Sequence, residues 1–253
     1  MFYTSARAST KVQRCSRSLQ TPIGRTRDQL RQLLRETAQP VAVVTTPLEG
    51  SAPISTGNAI QSVYHGATLS SFTSIAFDPY PLVAFSLRVP SRTAAALNSY
   101  VDRTQADAES LNTSHMVINI LSAALSDVAV TFSRADLHPR PFEESRVQWT
   151  KSADGLPIIS GSLGALSCAL VSRSLPLGDL RWLRKCHPLP RNGEGVDISP
   201  GEEQGGSTSE LFIARVLRVE HVPQIEGDEE RDGMRTLPLL YHRRKYATAF
   251  TIC

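Results

Sequence analysis

The stretch from Gly66 to Thr93, GATLSSFTSIAFDPYPLVAFSLRVPSRT, constrains this chain more than any other. It enters a hydroxyl-rich turn, Ser70-Ser71-Phe72-Thr73-Ser74, of the kind that meets a polar ligand edge with hydroxyls and backbone N–H groups. Leu82 to Leu87 then reads as a strand, apolar enough to be a rigid wall. Ser91 is a natural N-cap, so a helix is expected over 91–100. Helix N-termini hold phosphate, and Arg92 adds a guanidinium fork to this one.

Around this stretch the pattern is mostly strand. The run VAVVTT over 41–46 is β-branched, and HMVINIL over 115–121 reads as a buried strand. Long strand-like runs cover 164–175 and 211–222, and PLLYHRRKY over 238–246 closes the body. Segments 67–71 and 82–87 read as two strands joined across a turn at Asp78-Pro79-Tyr80-Pro81. Helices are expected over 28–38, where Leu30, Leu33 and Leu34 share a face, and over 123–132. Residues 47–64 read as a long polar loop, and 102–114 as another polar stretch. Many strands, a few short helices and no βαβ rhythm predict a mainly β fold, a barrel with helical decoration.

Several chemistries find no carrier. There is no G-x-S-x-G, no P-loop, and no G-x-G-x-x-G after a strand. The six histidines are scattered, and the four cysteines lie far apart without a C-x-x-C, so neither a metal site nor a disulfide framework is indicated. No apolar run approaches the length that spans a membrane as a helix. An enzyme built on this chain needs a cofactor to supply its chemistry.

The net charge of +3 is unevenly placed. Arg7, Lys11, Arg14, Arg17, Arg25 and Arg27 precede Asp28, the first acidic residue. The remaining 21 basic residues face 24 acidic ones, so the body is not basic and does not suggest nucleic acid. Residues 1–27 therefore read as a separate basic tail, rich in Ser and Thr. That is the composition of an organellar transit peptide, which implies a mitochondrial address, with the cytoplasm as the alternative.

The order of pieces over about 40–246 resembles the flavin reductase-like family, the FMN-binding split β-barrels. Gln39-Pro40-Val41 through Thr46 is similar to the family's first strand, and the run into SSFTS, D-P-x-x-P-L-V, F-S-L and S-x-T to its core motif. Residues 116–121 resemble F-V-V-N-V-L, 127–132 the L-A-x-x-F helix, 161–168 the G-A-L-A-x-L-x-C segment, and Leu239 to Tyr246 P-L-x-Y-x-x-x-x-Y. The resemblance implies a Greek-key split barrel over 28–253, an FMN-dependent oxidoreductase with NAD(P)H as co-substrate, and a homodimer that can serve a partner oxygenase. Thr68, Ser70, Ser71, Phe72 and Thr73 match the turn that holds the flavin ring and ribityl chain. Ser86, Leu87 and Arg88 match the strand end beside it, and Ser91, Arg92 and Thr93 the phosphate contacts. Two other readings stay open: an oxygenase acting on a small organic substrate, and a flavin-binding protein without turnover.

One departure is specific. The family has a histidine after Gly-Asp, associated with the nicotinamide site. Here Gly178-Asp179 is followed by Leu180 and a polar, Gly-rich segment to about 209. Five of the 15 glycines lie in it, as do Pro188, Pro190 and Pro200, so it reads as an insertion, either a lineage loop or an unspliced stretch. With 180–208 removed the chain runs G-D-S-E-L-F-I-A-R-V, and Ser209 takes the histidine's place.

Overall fold

The computed structural model describes residues 22–48, 64–104, 112–179, 183, 208–225 and 232–249. The loop expected over 47–64, the stretch at 105–111 and most of the insertion lie outside them. The chain divides into two units, Met1–Thr37 and Ala38–Cys253. In the first, α1 spans Pro22–Arg35. It begins six residues before the expected helix and ends three before it. Proline at the first helical position is pre-organised for φ and has no N–H to lose, a start signal stronger than Asp28.

The second unit runs β1 (Gln39–Pro40), β2 (Ala42–Pro47), β3 (Tyr64–Leu69), β4 (Thr73–Ala76), β5 (Leu82–Val89), α2 (Arg92–Thr104) and β6 (Met116–Ile120). A 3₁₀ turn (Ala123–Leu125) leads into α3 (Ser126–Ser133), where a single helix was expected. Then follow β7 (Trp149–Lys151), β8 (Pro157–Ile159), β9 (Gly164–Leu170), β10 (Leu175–Pro176), β11 (Thr208–Glu220), the one-turn α4 (Asp232–Arg235), β12 (Leu239–His242) and β13 (Lys245–Thr248). Among the described residues no helix is long and apolar enough to cross a membrane. The fold is mainly β, as expected.

An antiparallel sheet of eight strands carries the molecule, in the order β3-β2-β6-β9-β11-β5-β4, with β10 added to β11. β3 and β4 sit at opposite ends of that order, yet only residues 70–72 separate them in sequence. Three residues reach about 10 Å at most, so the sheet must curl until its ends meet. The meeting point is fastened by Ser71: the Ser86 N–H donates to its Oγ at 2.9 Å, and the Oγ donates back to the Ser86 carbonyl at 3.2 Å. The strand expected over 67–71 therefore does not form a hairpin with 82–87. β4 intervenes, and it is β4 that pairs with β5. Four residues, the first three of them exposed, gave no apolar alternation to find.

Both faces of β2 are buried. Ala42 and Val44 enter the barrel core with Leu69, Phe85, Leu97, Met116, Ile118 and Phe212. Val41 and Val43 join a second core with Leu121, Phe132, Phe142, Ile159 and Leu239 under α3. The Phe85 and Phe212 rings stack at 5.3 Å across β5 and β11. The buried Thr45 and Thr46 hydroxyls donate to the carbonyls of Pro157 and His115, so the double burial leaves those hydroxyls satisfied.

Candidate functional site

A groove of about 690 Å³ opens where the curled sheet meets α2. Of the residues singled out from sequence, Thr68, Ser70, Ser71, Ser86, Leu87, Arg88, Ser91, Arg92 and Thr93 line it together. β3 and its turn supply the first three, the end of β5 the next three, and the start of α2 the last three. Phe72 and Thr73 do not line it. Phe72 packs against the barrel core, and the Thr73 hydroxyl donates to the neighbouring Ser74 carbonyl.

The hydroxyls divide by what they already hold. Thr68 Oγ1 donates to the Ala129 carbonyl of α3 at 2.7 Å, and Ser71 is committed to Ser86. These two shape the wall. Ser91 caps α2, its Oγ accepting from the Ala94 N–H at 3.4 Å, while its carbonyl takes the first helical bond, from Ala95. The N–H groups of a helix's first turn have no intrahelical acceptor. Arg92 is exposed at that start, and Arg88 is exposed beside it. Among the described residues neither arginine makes an ion pair or hydrogen bond. Among the described residues no carboxylate lines the groove. The site is electropositive, with helix dipole and two guanidinium groups unopposed.

The floor carries residues that sequence reasoning did not assign. Phe132 of α3 lines the groove and packs edge-to-face on Phe142 at 5.1 Å. Gly66 makes room for it: a Cβ there would sit 2.8 Å from the Phe132 ring and 3.0 Å from the Val44 carbonyl oxygen. Tyr241 and Tyr246 line the groove from the β12–β13 hairpin, their rings 5.8 Å apart. Burial holds the Tyr246 phenol above its ordinary pKa, against a hydrogen bond with Ser133. His65 lines it too, 5% exposed, with burial first and then the Arg92 charge holding its imidazole below the ordinary value. Its signal is tertiary, since its partner Thr93 lies 28 residues away.

Ser209 also lines the groove, paired across the sheet with Arg88. The two ends of the inserted segment meet: β10 pairs with β11, and a Cβ on Gly178 would stand 2.9 Å from Thr208 Cγ2. The residue that follows Gly-Asp once 180–208 is set aside is thus in the site.

The sequence profile of the flavin reductase like domain matches residues 34–249. This chain belongs to the flavin reductase-like family. Solved structures agree in fold. The nitrilotriacetate monooxygenase component B of Mycobacterium thermoresistibile aligns over 89% of this chain and 87% of its own, at 22% identity and a TM-score of 0.53. The styrene monooxygenase flavin reductase of Pseudomonas putida S12 aligns over 88% and 99%, at 22% identity and 0.52. The NADH:FAD oxidoreductase of Streptomyces globisporus C-1027, in complex with NAD and FAD fragments, aligns over 90% and 94%, at 19% identity and 0.52. The eight-stranded curl is the split barrel of these proteins, and the chain is an oxidoreductase of that family.

Proposed function

We propose that this flavin reductase-like protein binds FMN in the groove and passes reducing equivalents from NAD(P)H to flavin. One observation carries the reading: nine residues from three elements, including the start of α2 with Arg92, line a single groove with no carboxylate among the described residues. One phosphate fits one helix start. The hydroxyl turn at Ser70 and Ser71 suits a ribityl chain and a polar ring edge, and Leu87 and Phe132 offer apolar surface to a ring. Flavin supplies hydride transfer when bound. The protein's own part is to hold the phosphate, orient the ring and limit water.

The related solved structures include a styrene monooxygenase flavin reductase and the flavin reductase component of a two-component tryptophan halogenase, and on that basis a partner oxygenase is the natural acceptor of the reduced flavin. A homodimer is the working assembly, closed two-fold pairs being the commonest soluble oligomers. Ser209 in place of the family's histidine makes the nicotinamide step the point of divergence, and a binder without turnover is the second reading. Anaerobic addition of NADH or NADPH to the flavin-loaded protein separates the two. Rapid loss of flavin absorbance is the result expected, and an unchanged spectrum with bound FMN would leave the binder. Residues 1–26 act as a mitochondrial address in this account. A full-length fluorescent fusion should be mitochondrial and a fusion lacking them cytosolic; a cytosolic full-length fusion would remove the address.

A further inference from the structure

His65 is nearly buried on β3, 5% exposed, and reaches across to the start of α2. The Gly66 N–H donates to its Nδ1 at 2.8 Å, and Thr93 Oγ1 lies 3.2 Å from the same nitrogen. With Nδ1 as acceptor, its one lone pair is shared by the Gly66 N–H and the Thr93 hydroxyl proton. The other ring nitrogen, Nε2, is buried with no hydrogen-bond partner among the described residues. A buried imidazole with one side unpaired is costly, and its surroundings are one-sided in charge. Of the charged residues on the elements packed against β3, Arg92 and Asp102 of α2, Asp127 of α3, Glu143 of the 3₁₀ turn at Pro141–Glu143, and Arg88 of β5, only Arg92 acts on His65, and it repels the charged form. Tyr241 and Tyr246 face the groove from the hairpin.

We propose that His65 is a positioning residue that sets the direction of the Thr93 hydroxyl according to whether a phosphate sits at the start of α2. Neutral, its Nδ1 accepts the Thr93 proton and the hydroxyl faces inward. When a dianion arrives, a proton from solvent adds to Nδ1. The new N–H donates to Thr93 Oγ1, or to the Gly66 carbonyl at 3.0 Å, and the Thr93 O–H turns to the anion. The dianion offsets the Arg92 repulsion, which adds to burial, the larger cause, in holding the imidazole below its ordinary value. The inference rests on the phosphate reading of Ser91, Arg92 and Thr93 and adds to it that phosphate binding takes up a proton at His65.

The test is the ratio of riboflavin to FMN dissociation constants, measured by fluorescence on the apoprotein between pH 8 and pH 6. FMN has its own phosphate ionisation near pH 6, so wild type is compared with His65→Asn, in which that contribution is identical. Wild type should gain FMN affinity relative to the variant by a few-fold as pH falls, about tenfold being the ceiling for one unit of pKa coupling. Thr93→Val should abolish the same gain. Equal pH slopes in wild type and His65→Asn overturn the role of His65. A wild type that binds FMN no tighter than riboflavin at any pH overturns the phosphate reading itself. Should His65→Asn fail to fold, imidazole NMR on wild type decides: the His65 resonance should titrate higher with FMN than with riboflavin, and identical titrations reject the proposal.

Discussion

On β11, Arg218 donates to Asp154 and Glu220, which in turn accept from Ser114 and Ser167. At the start of α2, Arg92 is exposed beside an equally exposed Arg88, with no carboxylate among the groove's lining residues. Both arginines are on the same barrel, but their surroundings differ in kind. The Arg218 cluster closes its own charges. Burial alone would raise the Asp154 carboxyl, but hydrogen bonds from Ser114 and Arg218 hold it below its ordinary value. The α2 cluster leaves its charges open, and its histidine is pressed toward neutrality instead. Two guanidinium groups, a helix start and a histidine gathered without an acid among the described lining residues are the basis of the proposed anion site. A cation met by two carboxylates is holding strands together.

The sharpest way to break the contrast is to close the open cluster. Ser91→Asp keeps a good N-cap and places a carboxylate where the phosphate is expected. FMN affinity should fall by two orders of magnitude or more, since opposed like charges cost several kcal/mol. Riboflavin affinity and Tm should hold. Calorimetric titration with both flavins checks this, and an unchanged FMN affinity would detach the helix start from the ligand.

Opening the closed cluster is the complementary change. Asp154→Ala should lower stability by about 1–2 kcal/mol, because Ser114 and Arg218 lose their acceptor, with FMN affinity unaltered. Denaturant unfolding measures it. A carboxylate held below its ordinary value, near 3.8, stabilises the fold fully above that value and progressively less as pH falls through its lowered one. Wild type and variant should therefore converge in acid, and a difference that persists there would mean Asp154 acts by packing rather than charge.

The smallest effect concerns the excursion after Gly178. The chain leaves and returns side by side at Gly178 and Thr208, so joining Asp179 to Thr208 opens no gap in β10 or β11. FMN affinity should be unchanged and Tm equal or higher, because a shorter loop closes at less entropic cost. Loss of flavin binding in the deletion would tie residues 180–207 to the groove.

What was legible in the sequence follows the same division. The open cluster was readable because its parts are local: Ser91-Arg92-Thr93 announces a cap and a charge within one turn, and α2 forms there, ending four residues beyond the expected end. The turn at Ser70 and Ser71 was readable as a polar feature, though not as the piece that draws the sheet's ends together. Phe72 was assigned to the ligand because the family resemblance placed it in the ligand turn, but its side chain packs against the barrel core. Phe132, Tyr241 and Tyr246 were out of reach because each enters the groove from an element far away in sequence, and His65, although beside Gly66, is tied to the site only by Thr93, 28 residues on. The Asp154 and Arg218 pairing joins the turn between β7 and β8 to β11, 64 residues away, which no local pattern encodes.

The central claim is that the start of α2 is a phosphate site, and the most direct measurement is a pair of titrations on Arg92→Ala. FMN and riboflavin differ only by the phosphate. The account predicts that the variant weakens FMN by about 1.5–3 kcal/mol, the scale of a charge-assisted hydrogen bond, and leaves riboflavin as in wild type. Equal losses for the two flavins would contradict it, because Arg92 would then be acting on the ring or the fold and not on the phosphate.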